Sequence, residues 1–204
     1  MYRRFGKRAL DIGLTIPALG LLLPFLIVVA VLVKLTSRGP VFYIQERVGK
    51  DGVPFPFIKF RTMVVGAEEQ GTGILALRDD PRVTAIGRIL RRFSLDELPQ
   101  FWNVLRGDMS LIGPRPGLAY QVNEYTSFQR RRLTVLPGIS GWAQVNGRNA
   151  ITWDERIKRD VEYIERLSFG MDLRILFRTV MAVIRSESLF AEKDYFKEKA
   201  AQSR

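Results

Sequence analysis

Apolar residues are distributed unevenly along the chain. Ile12 to Val33 reads IGLTIPALGLLLPFLIVVAVLV, with no charge in it. At about 1.5 Å per residue, such a helix just reaches across a bilayer core of roughly 30 Å. Beyond it the apolar runs are short and broken by polar residues. Val41–Ile44 and Phe55–Phe60 predict two strands, with Gly49-Lys50-Asp51-Gly52 as a hairpin turn. Residues 66–82 are rich in Gly, Glu and Asp and read as a mobile loop. Helices are predicted over Ala85–Phe93, Pro99–Leu105 with Gly107 as its stop, Glu124–Leu136, Asp154–Leu167 and Asp172–Ile184. Met109–Ile112 is a short apolar stretch ending in Gly113-Pro114-Arg115-Pro116. The pattern predicts a mainly α protein with a small β element, an α+β fold, and shows no internal repeat.

Two features of the long apolar segment bear on how it meets a membrane. Pro24 sits near its middle, where proline removes a hydrogen bond and kinks a helix. The flanks are basic at both ends, with Arg3, Arg4, Lys7 and Arg8 before the segment and Lys34 and Arg38 after it. The positive-inside bias favours both ends on one side, which suits a re-entrant helix–break–helix. A kinked transmembrane span also fits these residues. A secretory signal fits less well, because the segment is long and no small-residue cleavage site follows. In Asp172–Ile184 the residues Leu173, Leu176, Phe177, Val180, Met181 and Ile184 form one stripe, with Arg174 and Arg178 elsewhere on the helix. Core packing and a seat in the membrane interface both account for it. The same two readings apply to the basic row Arg130–Arg132.

Composition narrows the chemistry. The 204 residues are 47% apolar, enough for one cored domain and an appendage. There is no cysteine and no histidine. Disulfides, thiolate or imidazole metal sites and a Ser-His-Asp triad are therefore excluded, leaving Asp, Glu, Lys, Tyr, Ser or Thr as nucleophile or base. The net charge of +11 favours polyanionic partners: nucleic acid, an anionic membrane face or phosphorylated substrates.

Three short stretches can carry phosphate chemistry. In Ser94-Leu95-Asp96-Glu97-Leu98-Pro99 the adjacent acids match a capping box, with Ser94 as N-cap and Glu97 as its partner. Pro99 counts against that, since it would fall inside the helix, where it cannot donate to the carbonyl of Leu95. That puts the helix start near Pro99, with Asp96 and Glu97 at or just before it, where the helix dipole stabilises acids and where a divalent cation and phosphate oxygens could equally be met. Pro114-Arg115-Pro116 restricts the arginine backbone from both sides, which suits bidentate phosphate recognition but equally an ordinary surface turn. Asn146-Gly147-Arg148-Asn149 joins a glycine turn to a cation and matches no known phosphate-loop spacing; a hairpin turn is the plain alternative.

Taken together, KFRTM (59–63), SLDELPQFWNVLRGDMSLIGPRP (94–116) and LPGISGWAQVNGRNAITW (136–153) resemble the bacterial sugar transferase family. More narrowly they resemble the small monotopic phosphoglycosyl transferases, including the di-N-acetylbacillosamine-phosphate type. The resemblance runs from the basic N-terminus to about Ile184. It implies a re-entrant hairpin over residues 1–38 and a compact cytoplasmic catalytic domain with interfacial helices over 39–185. Residues 186–204 would be a tail. It also implies a minimal catalytic unit, without the extra transmembrane helices of larger sugar transferases. The expected place is the cytoplasmic face of the bacterial inner membrane. The expected partners are a UDP-sugar, undecaprenyl or another polyprenyl phosphate and the lipid bilayer, with no nucleic acid; a homodimer stays open.

The implied reaction passes a sugar 1-phosphate to the lipid phosphate and releases UMP, as the first membrane step of glycoconjugate assembly. By this resemblance Asp96 is the nucleophile and Glu97 its helper, with Mg²⁺ held at Asp96 and Glu97. Arg115 and Arg148 are implied phosphate or nucleotide contacts, Lys59 and Arg91 further basic site positions, and Asp172 a recurrent acid at the substrate site. Relatives often carry Ser-Pro at the membrane break, where this chain has Leu23-Pro24. The hairpin would then depend on Pro24 alone. Two other readings keep part of this picture: direct attack by the lipid phosphate in a ternary complex, and a non-catalytic basic module on the membrane surface.

Overall fold

The computed structural model describes residues 2–69, 80–147 and 151–184. The first feature is a π-helical turn, Tyr2–Gly6, leading into helix α1, Lys7–Thr36. By length and composition α1 can cross a membrane: its most apolar 18-residue window has a mean hydropathy of 2.9 and is only 11% buried. The helical assignment runs without interruption across the expected break at Pro24. The chain stays helical through Pro17 and Pro24, whose rings leave the carbonyls of Gly13 and Gly20 without their usual helical donors.

Strands β1, Phe42–Val48, and β2, Pro54–Phe60, form the expected antiparallel hairpin, paired from Phe42↔Phe60 to Val48↔Pro54. It is longer than the apolar run suggested, because Gln45, Glu46 and Arg47 continue the ladder. Helix α2, Ala85–Arg92, is capped by Thr84, whose hydroxyl accepts from the Gly87 amide at 3.0 Å. Gly87 is required there, since a Cβ would clash with the Thr62 carbonyl. Helix α3, Gln100–Arg106, starts directly after Pro99 and ends on Gly107 at φ 90°, as the sequence predicts.

Strand β3, Ser110–Ile112, then leads to α4, Ala119–Asn123, and α5, Ser127–Arg130. The single helix expected over Glu124–Leu136 is thus divided. Thr126 opens α5 with a capping box to Gln129, and Arg131–Thr134 tightens into a 3-10 turn. Strand β4, Gly138–Ser140, pairs in parallel with β3. Short α6, Trp142–Val145, precedes the two long helices α7, Trp153–Arg166, and α8, Phe169–Ile184. The fold is mainly helical with a small β hairpin, as the pattern predicted, and the parallel β3–β4 pair is an addition to it.

The main core gathers Phe55 and Phe57 of β2, Val104, Met109, Ile112, Tyr163, Leu167 and Ile175. Both ends of α1 dock on this unit. At its start, Asp11 accepts from the Ser110 hydroxyl at 2.9 Å and the Leu111 amide at 3.0 Å. Arg8 donates to the carbonyls of Val104 and Leu105, closing the C-terminal end of α3. Towards its end, Val29 and Val33 pack with Phe60 and Leu90. Between these contacts Ile16, Leu21, Leu23, Phe25, Ile27 and Val28 are exposed.

On helix α8 the buried face lies beside the expected stripe, and most of the stripe itself is exposed. Ile175 and Ala182 are buried, whereas Leu173, Phe177, Val180 and Ile184 are exposed. The basic row proves mainly internal or paired. Arg132 is buried against Asp160, and Arg131 meets Glu165 at 2.7 Å.

Candidate active site

Asp96 lies in a 3-10 turn, Leu95–Glu97, squeezed between α2 and α3. Ser94 enters that turn in the left-handed region, at φ 57° and ψ 21°, and its side chain caps nothing. The capping-box reading therefore fails. The left-handed residue reverses the chain after α2, and Pro99 sets the start of α3, so the intervening turn directs Asp96 inward. Only 6% of Asp96 is exposed, and its Oδ1 is buried without a hydrogen-bond partner. Burial, and then the Glu97 charge, push its carboxyl up to about 6, while Lys59, Arg91 and Arg115 pull the other way.

Those three cations come from three separate elements. Lys59, on β2, rests 4.8 Å over the Tyr43 ring, its cross-strand partner. Burial pushes its ammonium down to about 8, opposed by Asp96. Arg91, on α2, donates from Nε to the Thr62 hydroxyl at 2.7 Å. The close approach at Gly87 brings α2 against that segment. Arg115 grips both oxygens of Glu97 through Nη1 and Nη2, with the Nη1 bond at 3.1 Å.

The loop holding Arg115 has few donors of its own, since Pro114 and Pro116 lack N–H groups. It is fixed through four successive carbonyls. Pro114 accepts from the Gly138 amide at 2.9 Å, and Arg115 from Arg132 Nη2 at 2.9 Å. Pro116 accepts from Arg47 Nη1 at 3.4 Å, and Gly117 from the Val48 amide at 3.0 Å. Arg132 is itself held by Asp160 at 2.8 Å and the Tyr125 hydroxyl at 2.6 Å. Burial raises the Asp160 carboxyl and the Arg132 charge opposes that rise.

Asp96, Glu97, Lys59, Arg91 and Arg115 thus form one electrostatic cluster, as expected. Asp172 does something else. It is fully buried, with Oδ2 accepting from Tyr2 at 2.5 Å and Lys7 at 2.8 Å, and Oδ1 from Tyr163 at 2.7 Å. In this position it fastens the start of α1 to the core. Arg148 and most of the predicted loop, 70–79, lie outside the described residues. Sequence reading missed Thr62, Tyr43, Arg47 and Arg132 as supports of the cluster. Period-two alternation from Tyr43 through Gln45 to Arg47 would have put those three on one face of β1.

No group of three or more acidic side chains gathers as a ready-made metal cage among the described residues. The residues nevertheless fit Mg²⁺, which is commonly held by one or two carboxylates together with waters and substrate phosphates. Asp96 offers an unpartnered buried oxygen, and Glu97 is its neighbour.

Comparison with known proteins gives this arrangement a family. Residues 2–186 match the bacterial sugar transferase family. The chain is 48% identical over 157 residues to the uncharacterized sugar transferase EpsL of Bacillus subtilis (strain 168), covering 77% of this chain and 76% of that one. It is 44% identical over 186 residues to the UDP-N-acetylgalactosamine-undecaprenyl-phosphate N-acetylgalactosaminephosphotransferase of Aeromonas hydrophila, covering 88% of this chain and 44% of that one. Against the UDP-glucose:undecaprenyl-phosphate glucose-1-phosphate transferase of Escherichia coli (strain K12), identity is 45% over 185 residues, 87% of this chain and 40% of that one. The chain thus spans less than half the length of the latter two proteins, and the match takes in the whole cluster around Asp96. The chain belongs to the bacterial sugar transferase family.

Proposed function

We propose that this chain transfers a sugar 1-phosphate from a UDP-sugar to a polyprenyl phosphate such as undecaprenyl phosphate, releasing UMP. The observation that carries this reading is Asp96: a buried carboxylate with an unpartnered oxygen, facing cations from three elements. An Asp96 oxygen attacks the β-phosphorus of the UDP-sugar. The new O–P bond forms as the bond from that phosphorus to the bridging oxygen breaks, and the electron pair leaves with UMP. An oxygen of the lipid phosphate then attacks the same phosphorus and frees the carboxylate, giving polyprenyl diphosphosugar. Two displacements at one carboxylate need no histidine base.

The repulsion between anions is the main barrier, and Lys59, Arg91 and Arg115 oppose it from fixed positions. Glu97 holds Arg115 in place and stands beside Asp96, where the two acids would hold Mg²⁺; bound there, the ion would neutralise charge on the diphosphate. Arg148 is proposed to add a further phosphate contact.

Membrane placement follows from α1 and α8. Both ends of α1 pack on the same catalytic unit and both flanks are basic, which supports entry and return on one face, the cytoplasmic one. The exposed Leu173, Phe177, Val180 and Ile184 of α8 would lie in the interface beside it. A homodimer is compatible with this arrangement. The relatives' names leave galactose, glucose and N-acetylgalactosamine as candidate sugars. The test is a UMP-release assay over a panel of UDP-sugars with undecaprenyl phosphate, with and without Mg²⁺. One UDP-sugar should give turnover that chelation abolishes; no UMP from any of them would refute the reading.

A further inference from the structure

Arg47 has no role in the reaction described so far, and its surroundings are unusual. It sits near the end of β1, on the face that also carries Tyr43 and Gln45. Its guanidinium lies 5.5 Å from the centre of the Phe57 ring, and that of Arg115 lies 5.8 Å from the same ring. Two guanidinium groups therefore share one aromatic side chain. Arg115 is matched by Glu97, but no carboxylate pairs with Arg47 among the described residues. Its contacts are the Gln45 side-chain oxygen at 2.5 Å and the Pro116 carbonyl at 3.4 Å, both neutral, and its Nε is buried without a partner.

Fully buried cations outside the cluster are treated differently. Lys7, Arg82 and Arg132 each meet a carboxylate at 2.8 Å or less. Buried Arg61 serves the end of α1 through Ser37. Arg47 is instead held beside another cation, and burial and the Arg115 charge push it down to about 10. Keeping it there costs the folded protein free energy, and positions of that kind cluster where a ligand supplies the missing charge. Glu68 acts on Arg47 only from a distance, through Gln45, so the side of the guanidinium towards Arg115 meets another cation and suits an anionic phosphate ester.

We propose that Arg47 is a second phosphate-binding arginine of this site, pairing with Arg115 across Phe57 to take the oxygens of a bound phosphate. The proposal rests on the reaction proposed above. The shared chemistry is an anionic phosphate ester, and two sources supply it: the diphosphate of the nucleotide sugar and the headgroup of the lipid phosphate. Because Arg115 keeps 37% of its side chain exposed, the pair has an open side for either.

The test uses the full chain in detergent or nanodiscs, with Arg47→Gln and Arg47→Lys. Glutamine keeps a donor for the Pro116 carbonyl and removes the charge; lysine keeps the charge and loses the fork. UDP is the probe for the first source, read as Kd, and the KM for undecaprenyl phosphate reads the second. Arg47→Gln should weaken at least one of them tenfold or more, with Arg47→Lys intermediate. Its thermal midpoint should equal or exceed that of the parent, because a repelled cation has been removed. A change confined to UDP assigns the nucleotide diphosphate, and one confined to KM assigns the lipid phosphate. Unchanged Kd and KM, or a weakening accompanied by a fall in thermal midpoint that lysine does not restore, would overturn the proposal. Absence of UMP release by the parent chain would refute the reaction instead, and the UDP arm would still decide whether Arg47 binds phosphate.

Discussion

Two buried aspartates divide the molecule between stability and chemistry. Asp172 is completely buried, with Tyr2, Lys7 and Tyr163 satisfying its oxygens at 2.5 to 2.8 Å. Asp96 is almost as buried, yet it keeps an unpartnered oxygen and no cation stands within ion-pair distance among the described residues. A buried charge without partners is destabilising, and a paired one costs far less. The fold therefore treats Asp172 as a fastening and holds Asp96 at a cost in stability. Lys59, Arg91 and Arg115 surround Asp96 closely enough to favour its ionised form without quenching it. A nucleophile needs that state: charged and not already engaged.

The contrast can be broken or sharpened by mutation. The largest effect is expected at Asp96. Asp96→Asn should lower turnover by about 10⁴-fold or more, as loss of a nucleophile does, while the thermal midpoint holds or rises. Retained turnover in UMP release would remove Asp96 from the chemistry. Asp172→Asn should act in the opposite way. It leaves Lys7 buried without its counter-charge, at a cost of about 3–5 kcal/mol, or roughly 10 °C in thermal midpoint. Turnover per folded molecule should change little. A large loss of turnover without a loss of stability would return Asp172 to the substrate site.

Arg115→Lys comes next. Lysine keeps the charge but cannot grip both oxygens of Glu97, and turnover should fall on the order of 10²-fold. The smallest effect is electrostatic. The Asp96 carboxyl titrates near 6 in the fold, above its ordinary value. The bound proton therefore adds stability in full below about pH 4, and that contribution is lost as pH rises through about 6. Asp96→Asn should accordingly exceed the parent in stability by about 3 kcal/mol at pH 8, and the gap should close towards pH 4. Turnover of the parent should fall as pH drops through 6, where Asp96 takes up its proton.

How much of this the sequence disclosed depends on the range of the interaction. The hairpin, the start of α3 at Pro99 and the stop at Gly107 are local matters of turn and proline geometry, and they were legible. So was the pairing of adjacent acids with basic motifs, once the stretches were taken together as a family pattern. The division of Glu124–Leu136 was legible in principle, from Thr126 and Gln129, but the run of arginines obscured it. The continuous course of α1 through Pro24 could not be read from a proline alone, because kinks and breaks begin from the same residue. The structural partners of Asp172 were hidden for a different reason. Tyr2 and Lys7 lie 170 and 165 residues away, beyond any local pattern. The same distance problem hid Arg132, whose hold on the Arg115 carbonyl depends on tertiary packing.

The central claim is that Asp96 becomes covalently bonded to phosphorus. The direct measurement is a single-turnover reaction of the full chain with its UDP-sugar in the absence of any lipid phosphate, followed by UMP quantitation and intact-mass analysis. The account predicts a burst of about one UMP per active protein, with a phosphosugar mass gained at Asp96 and lost again when undecaprenyl phosphate is added. UMP that appears only when both substrates are present, with no adduct on the chain, would contradict it and favour direct attack by the lipid phosphate.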